Sequence, residues 1–137
     1  MSTEDNKTLI RQAFEDINHS NLGNTNDYFT PDFIYHDTTL PHISNREEYI
    51  QLLTGLMAAF TPQLTIQDLI AEGNTAARYT LNGTHHGQWR GVPATGKPVT
   101  ILATSTYHFV NGKVVEMWQN ADTLSLLQQL GAIPAMG

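Results

Sequence analysis

Val99 to Asp122 reads VTILATSTYHFV, then Asn111-Gly112, then KVVEMWQNAD. Two runs rich in β-branched and aromatic residues flank an Asn-Gly pair. Both central residues of a two-residue hairpin turn need positive φ, which Asn and Gly adopt at least cost. The stretch therefore predicts two long antiparallel strands, the second ending at Asp122. The next residues, TLSLLQQL before Gly131, have helical spacing and a glycine stop. An acidic residue stands where a strand meets a short helix.

Working outward from this hairpin, Thr75 to His86 predicts a further strand, with Ala77, Tyr79 and Leu81 on one face and Arg78 and Thr80 on the other. Before it, Leu64, Ile66, Leu69 and Ile70 alternate imperfectly, which places a bulge near Asp68. Gly87 to Pro98 is a Gly/Pro-punctuated connection. The first half of the chain is helical instead. Ser2 or Thr3 caps a helix whose apolar face carries Leu9, Ile10, Ala13, Phe14 and Ile17. A turn or short helix closed by Pro31 leads to a brief strand from Phe33 to His36. Asn45 with Glu48 makes a capping box for a helix from Arg46 to Phe60, which is apolar on nearly all sides and suited to cover a pocket. A tail runs from Ala132 to Gly137. Helices first and strands after imply an α+β domain: a curved antiparallel sheet forming a cone, N-terminal helices on its concave face and a short C-terminal helix.

The chain has 137 residues, 40% of them hydrophobic, which fits one globular domain spanning 1–137. Its formal charge is −6, and its seven Lys and Arg are scattered, so neither nucleic acid nor an anionic membrane is an expected partner. There is no cysteine, which removes disulfides, thiolate metal sites and cysteine nucleophiles. No apolar run is long enough to span a bilayer, and the start MSTEDNKTLIRQ is too acidic for a signal peptide. The expected location is the cytoplasm. A glycine-rich phosphate loop and a Gly-x-Ser-x-Gly elbow are both missing, so nucleotide chemistry and covalent acyl transfer lack their usual parts.

Several motifs stand in order along the chain: Gly83-Thr84-His85-His86-Gly87, Gly91-Val92-Pro93-Ala94-Thr95-Gly96-Lys97, Gly112-Lys113-Val114-Val115-Glu116-Met117-Trp118, and Asp122-Thr123-Leu124 through Gly131. Tyr28-Phe29-Thr30-Pro31-Asp32-Phe33 and His36 precede them. Together they resemble the SnoaL-like polyketide cyclases of the nuclear-transport-factor-2-like superfamily. The resemblance implies a cone-shaped α+β fold and a cofactor-free enzyme that closes a ring of an aromatic polyketide methyl ester by aldol condensation. It also implies an Asp base at Asp122 and a His partner at His108.

From the residues themselves, Asp122 has two readings: an N-cap for the last helix, or a general base whose proton affinity an apolar pocket raises. A carboxylate held by backbone N–H groups is the poorer base, so the two roles compete. His108 is a wall residue or an acid for the developing oxyanion. Counting back from a two-residue turn sets His108 opposite Val115, on the face away from Trp118 and Asp122, unless a bulge shifts the parity. His36 is a turn residue or sits at the pocket mouth. The adjacent His85 and His86 point opposite ways on a strand and make no metal set. Trp118, Tyr35, Tyr49, Met57, Phe60 and Trp89 are core residues, and the expected lining of a pocket for a small hydrophobic or aromatic carbonyl substrate. Catalytic candidates are thus Asp122, His108 and His36, with no metal and no cofactor. The expected chemistry is ring closure or isomerisation, as in an ester cyclase, isomerase or lyase. The alternatives are a non-catalytic ligand-binding module and an epoxide-hydrolase-like enzyme, which would need an Asp-Arg-Asp set around a water, supplied by Arg78 and Arg90 with Asp68 or Asp122 only if these are brought together. An open apolar sheet face predicts a homodimer.

Overall fold

The fold comes from a computed structural model that describes residues 2–134; the last three residues of the tail lie outside the described part. Helix α1 (Thr3–Asn18) begins with a reciprocal capping box between Ser2 and Asp5. A single 3₁₀ turn (Leu22–Asn24) and the short α2 (Thr25–Tyr28) come after it. Buried Asp16 ties α1 to this region, accepting hydrogen bonds from Gln12, Asn24 and the Tyr28 hydroxyl. Strand β1 (Phe29–His36) leads to α3 (Arg46–Phe60), which starts with the expected Asn45/Glu48 capping box. Four strands come next: β2 (Gln63–Glu72), β3 (Asn74–Thr84), β4 (Pro98–Val110) and β5 (Lys113–Ala121). Helix α4 (Thr123–Gln129) closes the fold.

The sheet order is β1-β5-β4-β3-β2. Strands β2 to β5 form an antiparallel meander, but β1 runs parallel to β5, so the sheet is mixed rather than wholly antiparallel. The chain crosses from β1 over the concave face as α3 before it reaches β2 at the opposite edge. Strand β1 also begins earlier than expected, at Phe29, and takes Pro31 in its stride. As an edge strand it tolerates a missing N–H, and its register to β5 shifts between Phe29 and Ile34.

Side-chain alternation divides the sheet cleanly. Phe33 and Tyr35 of β1, Met117 of β5, Val99, Ile101, Ala103, Ser105 and Tyr107 of β4, and Ala77, Tyr79 and Leu81 of β3 are buried on the inner face. Helices α1 and α3 cover that face with Ile10, Phe14, Tyr49, Leu53 and Phe60. Two bulges set the register. One, between Ile66 and Asp68 on β2, stands where the broken alternation places it. The other decides His108. Asn111 and Gly112 adopt φ of 51° and 80°, the expected two-residue turn, and Val110 pairs with Lys113. Val115 is then bulged out, so that His108 pairs with Glu116 instead of Val115. The bulge sends His108 to the same face as Trp118 and Asn120, which is the outer one.

Candidate active site

Between the inner face of the sheet and helices α1 and α3 lies a partly enclosed cavity of ≈ 90 Å³. Its apolar walls come from Phe14 and Ile17 of α1, Leu52, Leu53 and Leu56 of α3, and Leu81 and Ile101 of the sheet. The covering role expected of α3 is met, since Tyr49 also faces the cavity from it.

The polar groups gather mainly at one end. Tyr35 ends the inner side of β1 and Asp37 stands two residues further on, so alternation brings both to the cavity. The Tyr35 hydroxyl donates to Asp37 Oδ2 at 3.2 Å. Asp37 Oδ1 accepts from the Thr39 backbone N–H (2.9 Å) and hydroxyl (2.7 Å), and so holds the turn after β1. Arg90 reaches the same place from the long β3–β4 connection. There Trp89 and Val92 exchange backbone hydrogen bonds around Arg90 and Gly91, both at positive φ, in a tight turn that presents Trp89 and Arg90 to the cavity. Arg90 Nη2 donates to Thr39 Oγ1 at 3.3 Å, and its guanidinium lies 5.8 Å from the Trp89 ring. A hydrogen-bonded chain thus runs from Arg90 through Thr39 to Asp37, which Tyr35 meets from the other side. Gln119 and Thr123 add polar atoms from β5 and α4.

Four tyrosines line this space: Tyr35, Tyr49, Tyr79 and Tyr107. Burial pushes every one of their phenols above the ordinary value. Tyr79 reaches about 12, its rise eased by the Ser105 hydroxyl 3.0 Å away. Tyr49 and Tyr107 are held well above 10 by burial first and neighbouring phenols second. Tyr35 is raised by burial and, after it, by the charge of Asp37. At neutral pH the wall therefore offers neutral hydroxyls and no phenolates.

The residues singled out from sequence divide between inside and outside. Tyr35, Tyr49 and Trp89 line the cavity. Phe60 and Met57 of α3 are not part of the lining; Phe60 is fully buried and packs its ring on His85 (5.2 Å) and Trp89 (5.6 Å). Trp118 is on the outer face, 37% exposed, and stacks on His36 at 5.3 Å. His36 is also outside, with Nε2 2.6 Å from Glu116 Oε2, and is not part of the cavity lining. His108 faces out and contacts Asn74 Oδ1 at 2.8 Å. Asp122 is exposed and caps α4, accepting from the Ser125 N–H at 2.9 Å; its neighbours Ala121 and Thr123 line the cavity, but Asp122 does not. The structure thus keeps all three acid–base candidates off the cavity surface. His85 and His86 diverge as expected. His85 is wholly buried with Nδ1 against Thr95, while His86 is exposed and bonds Thr61. Among the described residues no cluster of His, Asp or Glu is arranged to hold a metal ion. No described helix is long and apolar enough to cross a membrane.

Asp37, Gln119 and Thr123 are polar lining residues that pattern reading did not single out, and Arg90 entered it only for a different arrangement. The signal was present in the alternation of β1: once Tyr35 is inside, His36 must be outside and Asp37 inside.

Comparison with known proteins gives the family of the chain. The family description "SnoaL-like polyketide cyclase" matches residues 8–130. The aklanonic acid methyl ester cyclase DnrD of Streptomyces peucetius is 28% identical over 134 residues, covering 90% of this chain and 88% of that protein. A second such cyclase, DauD of Streptomyces sp. strain C5, is 27% identical and covers 90% and 80%. Among solved structures, AclR of Streptomyces galilaeus, a candidate hydroxylase, superposes with a TM-score of 0.88 at 28% identity, covering 99% of this chain and 87% of that one. IdmH of Streptomyces antibioticus, a candidate polyketide cyclase, gives 0.81 at 27% identity over 92% and 98%.

Proposed function

The chain belongs to the SnoaL-like polyketide cyclase family, and from that premise we propose a cofactor-free acid–base enzyme that closes a ring in, or isomerises, a small, mostly apolar carbonyl compound. The observation that carries this reading is the apolar cavity with a few convergent polar groups at one end, the usual form of a small-molecule site. In such a reaction a base removes a proton from a carbon beside a carbonyl. The resulting enolate carbon attacks a second carbonyl of the same molecule, and the new alkoxide takes a proton, so atoms balance without any co-reactant. Asp37 is the one carboxylate among the described lining residues. Its Oδ1 is held by the Thr39 N–H and hydroxyl, much as Asp122 is held by Ser125, so the base role we assign it rests on its place in the cavity wall and falls to Oδ2. Asp122, the base suggested by family likeness, serves in this reading as the cap of α4.

Size bears on the substrate. An apolar void of about 150 Å³ takes one benzene, so ≈ 90 Å³ holds less than one aromatic ring, and a ring-bearing molecule must extend through the mouth. Aklanonic acid methyl ester, the substrate named for the two cyclase relatives, is the first compound to assay.

The test is a pair of rates on a turned-over substrate. A well-placed general base contributes about 10²–10⁴-fold, so Asp37→Asn should lose activity by that factor while Asp122→Asn keeps it within a few-fold. The reverse result would return the base to Asp122. A non-catalytic binding module is the second reading, favoured by the exposure of Asp122. It predicts saturable ligand binding with no turnover in any variant. The epoxide-hydrolase arrangement is not assembled among the described residues, because Arg78 pairs with Asp68 at 2.7 Å on the exposed side of the sheet.

The homodimer expectation joins the proposal. Ile34, Trp118 and Leu102, on the adjacent strands β1, β5 and β4, expose apolar surface on the outer face. Sedimentation velocity of wild type and Leu102→Glu should show a dimer weakened by the charge. A wild-type monomer at micromolar concentration would refute it.

A further inference from the structure

Five buried side-chain polar atoms among the described residues have no hydrogen-bond partner: Asn6 Oδ1, Thr30 Oγ1, Thr75 Oγ1, His85 Nε2 and Trp89 Nε1. Trp89 alone of these belongs to the cavity lining. Its ring is held by contacts that leave the nitrogen out. Phe60 meets the indole at 5.6 Å and 69°, and the Arg90 guanidinium stands 5.8 Å from the ring centre. A Cβ placed at Gly55 of α3 would lie 3.8 Å from Trp89 Cζ3, so that corner of the benzo ring faces the helix. In an indole, Nε1 is at the opposite corner from Cζ3. The nitrogen is therefore on the side of the ring turned away from Gly55.

An N–H buried without an acceptor is a net loss to the folded state. Phenylalanine would set a flat ring beside Phe60 without that loss. The β3–β4 turn thus presents to the cavity a donor that packing does not require and that the protein does not satisfy. Arg90 and Asp37 are linked through Thr39, and the indole N–H takes no part in that chain.

We propose that the Trp89 indole N–H is the hydrogen-bond donor that takes a carbonyl or ester oxygen of the ligand in the cavity. This rests on the cavity being the ligand site, and it adds the group that fixes the reacting carbonyl. An indole N–H donates and never accepts, so the ligand atom that meets it is an acceptor, and a hydrocarbon of the same shape gains nothing from it. The nitrogen is buried in the free chain, so the indole turns to meet the oxygen; Gly55 sets no side chain against it and leaves the ring room to do so. Asp37 comes from the turn after β1 and Trp89 from the β3–β4 connection, so base and donor act from separate elements. As the proton leaves the carbon beside the carbonyl, negative charge builds on the oxygen and the hydrogen bond strengthens. Such a donor favours the transition state over the bound substrate.

The test needs no knowledge of the substrate. The chain has two tryptophans, so a proton–nitrogen correlation spectrum shows two indole N–H signals, and Trp118→Phe on the outer face assigns them. Acetophenone and ethylbenzene share a skeleton and differ by the carbonyl oxygen. Titrated into wild type, acetophenone should move the Trp89 N–H signal downfield well beyond ethylbenzene, while the Trp118 signal stays in place. In Trp89→Phe the ratio of acetophenone to ethylbenzene affinity, read by calorimetry, should fall roughly tenfold, the loss of one hydrogen bond of about 1.4 kcal/mol. A change in cavity volume or packing alters both affinities alike and cancels in the ratio. Equal shifts from the two compounds, or an unchanged ratio, overturn the proposal. If Trp89→Phe does not fold, the wild-type titration decides alone. If neither compound binds wild type at millimolar concentration, the cavity reading fails and the proposal with it, an outcome distinct from a failure of Trp89 alone.

Discussion

The two faces of the one sheet carry different chemistry. The inner face presents phenols, a glutamine and aliphatic side chains to a cavity, with Asp37 and Arg90 at its end. The outer face presents His36, Glu116, Trp118 and His108, the side chains that look most reactive in a sequence. Water access explains the contrast. An imidazole on an open face trades protons with solvent and gains little from its neighbours, whereas a hydroxyl in an apolar wall acts on whatever shares the space. Conspicuous residue types are therefore poor guides to a site until the parity of each strand is known.

The contrast is broken most directly by removing inner packing. Phe60 has no exposed surface and touches both His85 and Trp89, the residues that anchor the β3–β4 connection. Phe60→Ala should cost about 3–5 kcal/mol of stability, the range for deleting a buried aromatic ring. Urea unfolding checks it. A loss under 1 kcal/mol would mean that the inner face is far less tightly packed than it looks.

Alkaline pH sharpens the contrast next. Below pH 10 the Tyr79 phenol is protonated in both folded and unfolded chains, so it adds no pH dependence. Above that, the unfolded chain gives up its proton near pH 10 while the folded chain keeps it to about 12. Stability should thus fall through this window by about 1.4 kcal/mol per pH unit for each such phenol. Tyr79→Phe should flatten the decline by about one proton's worth, measured as urea unfolding free energy between pH 9 and 12. An identical slope in the variant would mean that Tyr79 titrates normally and is wet.

The strand-to-helix junction gives a smaller effect. Asp122 holds the Ser125 N–H at the start of α4, and replacing a capping Asp by Ala typically costs about 1 kcal/mol. Asp122→Ala should lower stability by that amount, read in the same denaturant experiment. No change would show that the cap contributes nothing and would reopen the competing role of that carboxylate.

Much of this architecture is legible in the residues alone. The Asn111-Gly112 turn, the cap at Ser2, the Asn45/Glu48 capping box, the bulge near Asp68 and the inward set Ala77, Tyr79 and Leu81 all come from local rules, because each depends on a few neighbouring residues. The parallel pairing of β1 with β5 does not, since it depends on where α3 carries the chain. The site is legible only in part. Tyr35, Tyr49 and Trp89 are reached through hydrophobic pattern, but the bulge at Val115 reverses the parity that would have placed His108. A bulge of one residue leaves almost no mark in a run such as Lys113-Val114-Val115-Glu116, where every residue suits a strand. Asp37 is hidden for a different reason: its neighbour His36, on the outer side of the strand, is the more conspicuous side chain.

The outer face should give the smallest effects, and they complete the comparison. His36 and Glu116 form an exposed pair with side chains 44% and 32% accessible, stacked beside a half-exposed Trp118. Such surface pairs are worth about 0–1 kcal/mol, because water screens the charges and two side chains must be held in one geometry. His36→Gln should therefore change stability by less than about 1 kcal/mol and leave turnover at saturating substrate within about two-fold, since the ring has no path to the cavity through the sheet. Steady-state rates beside denaturant curves decide it. A His36→Gln enzyme that folds normally but loses two orders of magnitude in rate would mean that chemistry takes place on the outer face. The division between a reactive inside and a solvated outside would then have to be drawn the other way round.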